Sequence, residues 1–449
     1  MSAVTVFPFA WRQPLVYGLG LSGRAALELL QTYELCVWVF DDRVDGLEDA
    51  SLRQVQGDEL PQEIDAIILS PGVPQDRPLL RQARERGLPI LGEVEVAFQL
   101  LEGTVLAVTG SNGKSTTTAL LGALLEATGE AVEVCGNIGE PLSRCVPGPP
   151  GRVFVVELSS FQLESIDRFR PHVALLLNLS PDHLDRYDGL EDYGRAKARI
   201  FENQESGDVA VVNGDDPALA PLAPQDPIRV RRFSRRGPVD DGCYLEDGVV
   251  YEVSPGQERR RLFDVADLAL EGEHNVENAL AATLAAVSFG AAPAAWQAAL
   301  REFSGLAHRL QRVGERAGVR FYDDSKGTNV AATASSLAGF ADGSVHLILG
   351  GRNKDADLAE LRAIVERKAA AAYLIGETAD ELAAILGDAV RCHNVGELEA
   401  AVALAAESAR SGESVVLSPA CASFDQFANF VARGLAFQEF VAQVLGEVS

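Results

Sequence analysis

Positive charge is what this chain most lacks: 39 lysines and arginines stand against 65 aspartates and glutamates, leaving a net charge of -26 at neutral pH. An envelope so acidic argues against nucleic acid and anionic membrane surfaces as partners, while leaving room for a locally positive pocket. Long hydrophobic runs are missing as well. No stretch reaches the roughly 18 apolar residues of a membrane span. The first segment has only Arg12 ahead of "PLVYGLGLSG", whose glycines arrive too early for a secretory core. Cysteine is sparse and unpatterned, with six residues at 36, 135, 145, 243, 392 and 421 that make neither a C-x-x-C pair nor a zinc spacing. These absences lead us to expect a cytoplasmic protein with reduced thiols and no membrane insertion. We also expect a monomer. What remains is 449 residues, 47% of them hydrophobic, enough to bury several cores in two to four domains.

One absence sits inside a motif. "TVLAVTGSNGKSTTTALLGALL" reads as a strand, a glycine-bracketed turn and a helix, yet Val108 stands where the usual G-x-x-x-x-G-K-[ST] pattern has its first glycine. The chemistry survives the mismatch. Gly110, Ser111, Asn112 and Gly113 expose backbone N–H groups at the N-terminus of a helix, a cradle for phosphate oxygens. Lys114 adds a point charge and Ser115 a hydroxyl suited to Mg²⁺.

Ahead of this loop, "PLVYGLGLSGRAALELL" carries a G-x-G-x-x-G turn at Gly18, Gly20 and Gly23, and Asp41 and Asp42 end the next hydrophobic run. A third strand, "IDAIILSPG", closes on Ser70, Pro71 and Gly72. The turn fits a dinucleotide or a nucleotide-sugar diphosphate equally well, and the unit, ending near residue 100, is short for a full dinucleotide fold. Behind the loop, "RVFVVELSSFQLES" sets Glu157 at a strand end, and "HVALLLNLSPDHLDRY" sets Asn178, Asp182, His183 and Asp185 after another. Glu157 and His183 are candidate cation ligands if these strands neighbour the one before Lys114; the alternatives are a solvated strand-end acid and a loop histidine. Lys197, in "YGRAKARIFENQ", has on pattern alone the look of a solvated helix lysine. His274, Asn275 and Asn278 open an alanine-rich helix, where they suit adenine or ribose recognition or plain helix capping.

A third unit starts near Gly305. His308 and Arg309 precede a strand that runs into Asp323, Asp324, Ser325, Lys326, Thr328 and Asn329. A second strand ends in Gly350, Gly351, Asn353 and Lys354, and "SVVLSPACASFDQFANFVARG" supplies Ser418, Pro419, Ser423 and Phe430. Lys326 and Lys354 are candidate receptors for carboxylates. An ATPase or a nucleotide sensor leaves the outer units without work, and a nicotinamide-linked oxidoreductase leaves the central loop without work. A ligase uses all three.

The blocks "GLGLSG", "TGSNGKST", "GNIG", "ELSSFQLE", "NLSPDHLDRY", "HNVENALAA", "DDSKGTN", "GGRNKDAD" and "LSPACASFDQF" resemble those of the Mur ligases, relatives of the folylpolyglutamate synthases, over nearly the whole chain. The short phosphate loop is a trait of that superfamily, and the last serine-rich block together with "DDSKGTN" favours the D-glutamate-adding branch over ligases with another acceptor. The resemblance implies an α/β, three-domain Mur ligase architecture. Rossmann-like N-terminal (1–100) and C-terminal (305–449) domains would flank a P-loop ATP-binding central domain (101–304). It implies ATP-dependent amide formation between UDP-N-acetylmuramoyl-L-alanine and D-glutamate through an acyl phosphate, for peptidoglycan precursors.

It also implies residue roles. Leu21, Ser22, Asp42, Arg43, Ser70, Pro71, Gly72 and Asn137 would hold the UDP-sugar. Gly110 to Thr116, with Asn275, Asn278, Arg309 and Asp324, would hold ATP. Lys326, Thr328, Lys354, Ser423 and Phe430 would receive D-glutamate. Ser115, Glu157, His183 and Lys197, the last as a carbamate, would order Mg²⁺, with Lys114, His183 and Lys197 closest to the chemistry.

Overall fold

The structure, a computed structural model, describes residues 7–42, 52–181, 186–270, 272–353 and 357–446, which fall into two compact units, Met1–Phe303 and Ser304–Ser449. The first unit holds two sheets and the second holds one.

The N-terminal sheet is all parallel: β1 (Pro14–Tyr17), β2 (Trp38–Phe40), β3 (Arg53–Gln54), β4 (Ala66–Leu69) and β5 (Ile90–Gly92), in the order β3-β2-β1-β4-β5. Every residue of β1 and β4 is buried, as expected of strands covered on both faces, which read as unbroken apolar runs rather than alternating ones. Chain order reverses at β1, so the glycine turn after Tyr17 opens into the crevice at the carboxyl ends of the strands.

The central sheet comprises β6 (Gly103–Thr109), β7 (Val132–Gly136), β8 (Arg152–Glu157), β9 (Val173–Leu176), β10 (Val209–Asn213), β11 (Arg229–Ser234), β12 (Gly242–Glu246), β13 (Val249–Val253) and β14 (Arg260–Asp264). Their order is β14-β13-β12-β11-β10-β9-β6-β8-β7. The strand before the phosphate loop, β6, lies parallel between β8 and β9, the neighbours the sequence required for Glu157 to share its crevice. A feature absent from the sequence reading is the antiparallel edge β12-β13-β14. Its first turn is Asp247-Gly248, both at positive φ (50° and 78°), the geometry of a tight hairpin.

The three units read from the sequence are three sheets here, but the first two share one core. Val16, Ala26 and Ile68 on one side and Val105, Phe154 and Val156 on the other belong to a single apolar cluster, joined by Val94, Val96 and Ala97 of the helix Glu93–Gln99.

In the second unit β15 (Gln311–Arg316), β16 (Val319–Asp323), β17 (Val345–Gly350), β18 (Ala369–Ile375), β19 (Cys392–Gly396) and β20 (Ser414–Leu417) lie in the order β15-β16-β20-β17-β18-β19, parallel except for the edge strand β15. Two apolar clusters cover its faces, one around Leu347 and Leu374 and one around Ile348 and Phe437. The six cysteines are free. Among the described residues no helix is long and apolar enough to cross a membrane.

Candidate functional site

At the N-terminal sheet the three glycines divide their tasks. Gly18, at φ 88°, makes the tight turn, and a Cβ there would lie 2.8 Å from the Val73 side chain. A Cβ on Gly23 would lie 1.8 Å from the Gly18 carbonyl oxygen, so only glycine lets the helix Leu21–Gln31 approach its strand. Gly20 faces open space. Asp41 accepts the Leu19 N–H at 2.6 Å and Ser70 Oγ donates to the Gly18 carbonyl at 2.6 Å, which sets the turn against the loop after β4.

The result is a cavity of about 540 Å³ whose walls include Leu21, Ser22, Asp42, Ser70, Pro71, Gly72 and Asn137. These are seven of the eight residues assigned to the UDP-sugar; the eighth, Arg43, lies outside the described residues. Among the wall residues that the sequence reading does not single out are Tyr17, Arg77 and Gln162. Arg77 pairs with Asp42 at 3.1 Å, and the Tyr17 hydroxyl donates to Asp42 at 3.3 Å, its ionisation pushed well above the ordinary phenol value by burial and then by the Asp42 charge. Gln162 did carry a signal, the S-x-x-Q of a capping box with Ser159 on the helix Ser160–Leu163. Nothing local marks Arg77.

Asn137 carries the cavity wall into the central sheet. It follows β7, and its Nδ2 donates to Glu157 Oε1 at 2.8 Å. Glu157, at the end of β8, is 1% exposed, and its Oε2 has no hydrogen-bond donor among the described residues. A buried carboxylate oxygen left this way suits a hard dication, and the buried Ser115 hydroxyl, first in the helix after the loop lysine, adds a second oxygen ligand from the same crevice. The pair fits Mg²⁺. Among the described residues no group of three His, Cys, Asp or Glu stands ready to hold a metal. His183, Asp182 and Asp185 lie outside those residues.

The phosphate loop is held from below. Gly110 and Gly113 take positive φ (155° and 79°), and a Cβ on Gly113 would lie 2.2 Å from Asn278 Oδ1. Asn178, read only as a strand-end polar residue, grips the loop: its carbonyl accepts the Ser111 N–H at 3.0 Å, and its side chain exchanges bonds of 2.8 and 3.1 Å with the Asn112 backbone. Thr116 is half-buried beside Ser115. Asn278 is buried rather than presented to solvent. It accepts from Thr117 Oγ1 at 3.2 Å and donates to Asn275 at 3.1 Å, bracing the turn.

Lys114 Nζ donates to the carbonyls of Gly110 and Ser111 at 2.9 and 2.8 Å. Lys197 Nζ donates to the same Gly110 carbonyl at 2.9 Å. The solvated helix position that spacing alone gives Lys197 is therefore wrong: it is 1% exposed, with its amine 4.3 Å from the centre of the Tyr193 ring. Nine residues of helix are too few for periodicity to identify the inward face when polar residues dominate it. Two ammonium groups thus converge on one carbonyl of the phosphate loop.

In the second unit, Lys326 and Thr328 follow β16, Ser423 follows β20, and Phe430 opens the helix Phe430–Leu445. Lys326 Nζ lies 5.7 Å from the Phe430 ring centre, and Ser423 is buried. Arg309 is exposed, whereas Asp324 is buried with both oxygens used. It accepts the Leu310 N–H at 3.2 Å and the hydroxyls of Ser336 and Ser418 at 2.7 and 2.6 Å. Burial lifts its carboxyl to about 6 against those hydrogen bonds. His308, at φ 61°, meets Asp323 at 2.7 Å and was not separately assigned. Lys354 lies outside the described residues.

Comparison with known proteins covers all three segments. Residues 12–92 match the Mur ligase MurD-like N-terminal domain, 108–286 the Mur ligase middle domain, and 308–421 the Mur ligase glutamate ligase domain. The UDP-N-acetylmuramoylalanine–D-glutamate ligase of Koribacter versatilis is 41% identical over 449 aligned residues, covering 96% of this chain and 98% of the relative. That of Acidobacterium capsulatum is also 41% identical, covering 96% of each. Among solved structures, the UDP-N-acetylmuramate–alanine ligase of Thermotoga maritima shares the fold at 19% identity, with a TM-score of 0.58 over 97% of this chain and 100% of that one.

Proposed function

The chain belongs to the Mur ligase family, and from that premise we propose how its residues divide the work of one reaction. It is an ATP-dependent acid–amino acid ligase that joins D-glutamate to UDP-N-acetylmuramoyl-L-alanine through an acyl phosphate, releasing ADP and phosphate in peptidoglycan precursor synthesis. ATP and Mg²⁺ are its cofactors.

In our reading the cavity after β1 and β4 takes the UDP-sugar, with the open backbone at Gly20 receiving the diphosphate and Asp42, fixed by Arg77 and Tyr17, oriented toward the nucleoside. Asn137 marks the end of that cavity, which directs the L-alanyl carboxylate toward the phosphate loop. There Lys114, bonded to the Gly110 and Ser111 carbonyls, attracts the triphosphate and offsets charge as the carboxylate oxygen bonds to the γ-phosphorus and ADP leaves, while Lys197, as a carbamate, would help to order Mg²⁺. Ser115 and Glu157 would hold Mg²⁺, whose contribution is to neutralise phosphate charge and polarise the P–O bonds. Lys326, Thr328, Ser423 and Phe430 would place the D-glutamate amine, which attacks the acyl carbonyl after losing a proton; phosphate is then expelled from the tetrahedral adduct.

The observation that carries this reading is the Asn137–Glu157 bond, which ties the sugar cavity to the strand beside the phosphate loop, within the unit whose two sheets share one apolar core. ADP release measured with each substrate omitted in turn tests it. Turnover is expected only with both the muramoyl nucleotide and D-glutamate present, and equal ADP release without either would sink the ligase reading.

A further inference from the structure

One buried charge has no part in the scheme above. Arg433, on the helix Phe430–Leu445, is 1% exposed, and no carboxylate is hydrogen-bonded to it among the described residues. Its guanidinium donates into two other segments. Nε donates to Ser325 Oγ at 3.0 Å, and Nη2 donates to the carbonyls of Ser325 and Cys421 at 3.0 and 3.1 Å. Ser325 Oγ in turn donates to the Phe430 carbonyl at 2.8 Å. Nη1 lies beside Gly351, where a Cβ would come within 3.2 Å of it, and has no acceptor among the described residues.

The segments so joined are the ones that bear the amino-acid site. Ser325 precedes Lys326 in the loop after β16, Cys421 precedes Ser423 in the loop after β20, and Phe430 begins the arginine's own helix. A guanidinium is suited to this because its donors form a rigid planar fork; an ammonium of similar reach cannot hold the same three acceptors at fixed angles.

We propose that Arg433 is a positioning residue for D-glutamate: it locks the loops of Lys326 and Ser423 and the start of the Phe430 helix into one arrangement. The proposal rests on the assignment of Lys326, Ser423 and Phe430 to the D-glutamate site. Arg433 itself touches no substrate, and its effect is transmitted through Ser325 and Cys421.

The test is steady-state turnover of the full-length Arg433→Lys variant with each of the three substrates varied. The KM for D-glutamate is expected to rise tenfold or more, while the KM values for ATP and UDP-N-acetylmuramoyl-L-alanine stay within twofold. A uniform rise in all three, or a fall in kcat with the D-glutamate KM unchanged, overturns the proposal, since a general folding defect would act that way. If Arg433→Lys fails to fold, Ser325→Ala carries the test, because it removes only the hydroxyl between Arg433 and Phe430; a smaller rise specific to D-glutamate supports the proposal and an unchanged D-glutamate KM refutes it. Ser423→Ala separates the two levels of the argument. If it leaves the D-glutamate KM unaltered, the site assignment is wrong; if it raises that KM while the Arg433 and Ser325 variants do not, only the positioning role fails.

Discussion

Asn137 and Glu157 are joined by a 2.8 Å hydrogen bond that links the wall of the N-terminal cavity to the carboxylate beside the phosphate loop. The other oxygen of Glu157 has no hydrogen-bond donor among the described residues, so the amide decides which oxygen would face the proposed Mg²⁺. Asn137→Ala removes the donor from a buried carboxylate, a loss of about 1–3 kcal/mol. A fall of about tenfold or more in kcat/KM is expected, with the Mg²⁺ concentration for half-maximal turnover shifted upward. A Mg²⁺ titration checks it, and a curve superimposable on that of the parent would contradict the arrangement.

Lys114→Ala is expected to lower kcat by about 100- to 1,000-fold, the loss associated with deleting one preorganised electrostatic contact. Far-ultraviolet circular dichroism and melting temperature should remain near the parent's, because the lysine's bonds to the Gly110 and Ser111 carbonyls lie within its own loop. A folded variant turning over at the parental rate would remove Lys114 from the phosphate site.

The two ends of the reaction should separate by mutation. Asp42→Ala removes the anchor of Arg77 and Tyr17 in the cavity, and is expected to raise the KM for UDP-N-acetylmuramoyl-L-alanine about tenfold, as for loss of a hydrogen bond to a charged group. Lys326→Ala should act on D-glutamate instead. Substrate-varied kinetics on the two variants decide the matter; identical patterns would mean that one of the two sites is misassigned.

Lys197 is the sharpest chemical prediction. Its buried amine shares the Gly110 carbonyl with Lys114, two cations where phosphate charge must be balanced and a metal held. Carbamylation would turn one of them into a carboxylate ligand. Lys197→Ala is expected to lose most activity and to regain part of it in added acetate, whereas Lys197→Arg stays cationic and inactive. Full activity in the arginine variant would rule the modification out.

Glu93 offers a stability test away from chemistry. Complete burial lifts its carboxyl from 4.5 to about 7, opposed by the hydrogen bond from the Ser143 N–H. A raised carboxyl means that the folded state holds the proton more tightly than the unfolded one. The resulting stabilisation is full below about pH 4.5 and is lost as pH rises through 7. Glu93→Gln should therefore gain stability relative to the parent across that interval, by on the order of 3 kcal/mol at most. Urea unfolding at pH 4.5, 6 and 8 measures this, and a constant difference across the three would refute it.

Much of this was legible in the residues, for reasons that differ from place to place. Gly18, Gly23, Gly110 and Gly113 announce themselves because the backbone geometry they serve admits no side chain. Strand-end residues such as Glu157 and Ser70 could be placed because parallel strands covered on both faces read as apolar runs with sharp ends. Arg77, Tyr17 and Arg433 were invisible, since each matters through partners 25 or more residues away or, for Arg433, up to 108 away. No local pattern encodes such a meeting. The β12-β13 hairpin did have a signal in Asp247-Gly248, but the expectation of alternating strands and helices masked it. His183, Arg43 and Lys354 lie outside the described residues, so their roles rest on the family resemblance.

The apolar cluster running from Val16 through Val94, Val96 and Ala97 to Phe154 has a practical consequence for anyone recombining these enzymes. A chimera spliced near residue 100 would pair two half-cores that were never fitted to each other, exposing or overfilling a seam of aliphatic side chains. One spliced between Phe303 and Ser304 would exchange self-contained bodies, each with its own interior. Swapping acceptor specificity between relatives is therefore best attempted at the second junction, with the nucleotide-sugar pocket and the phosphate loop inherited together from a single parent.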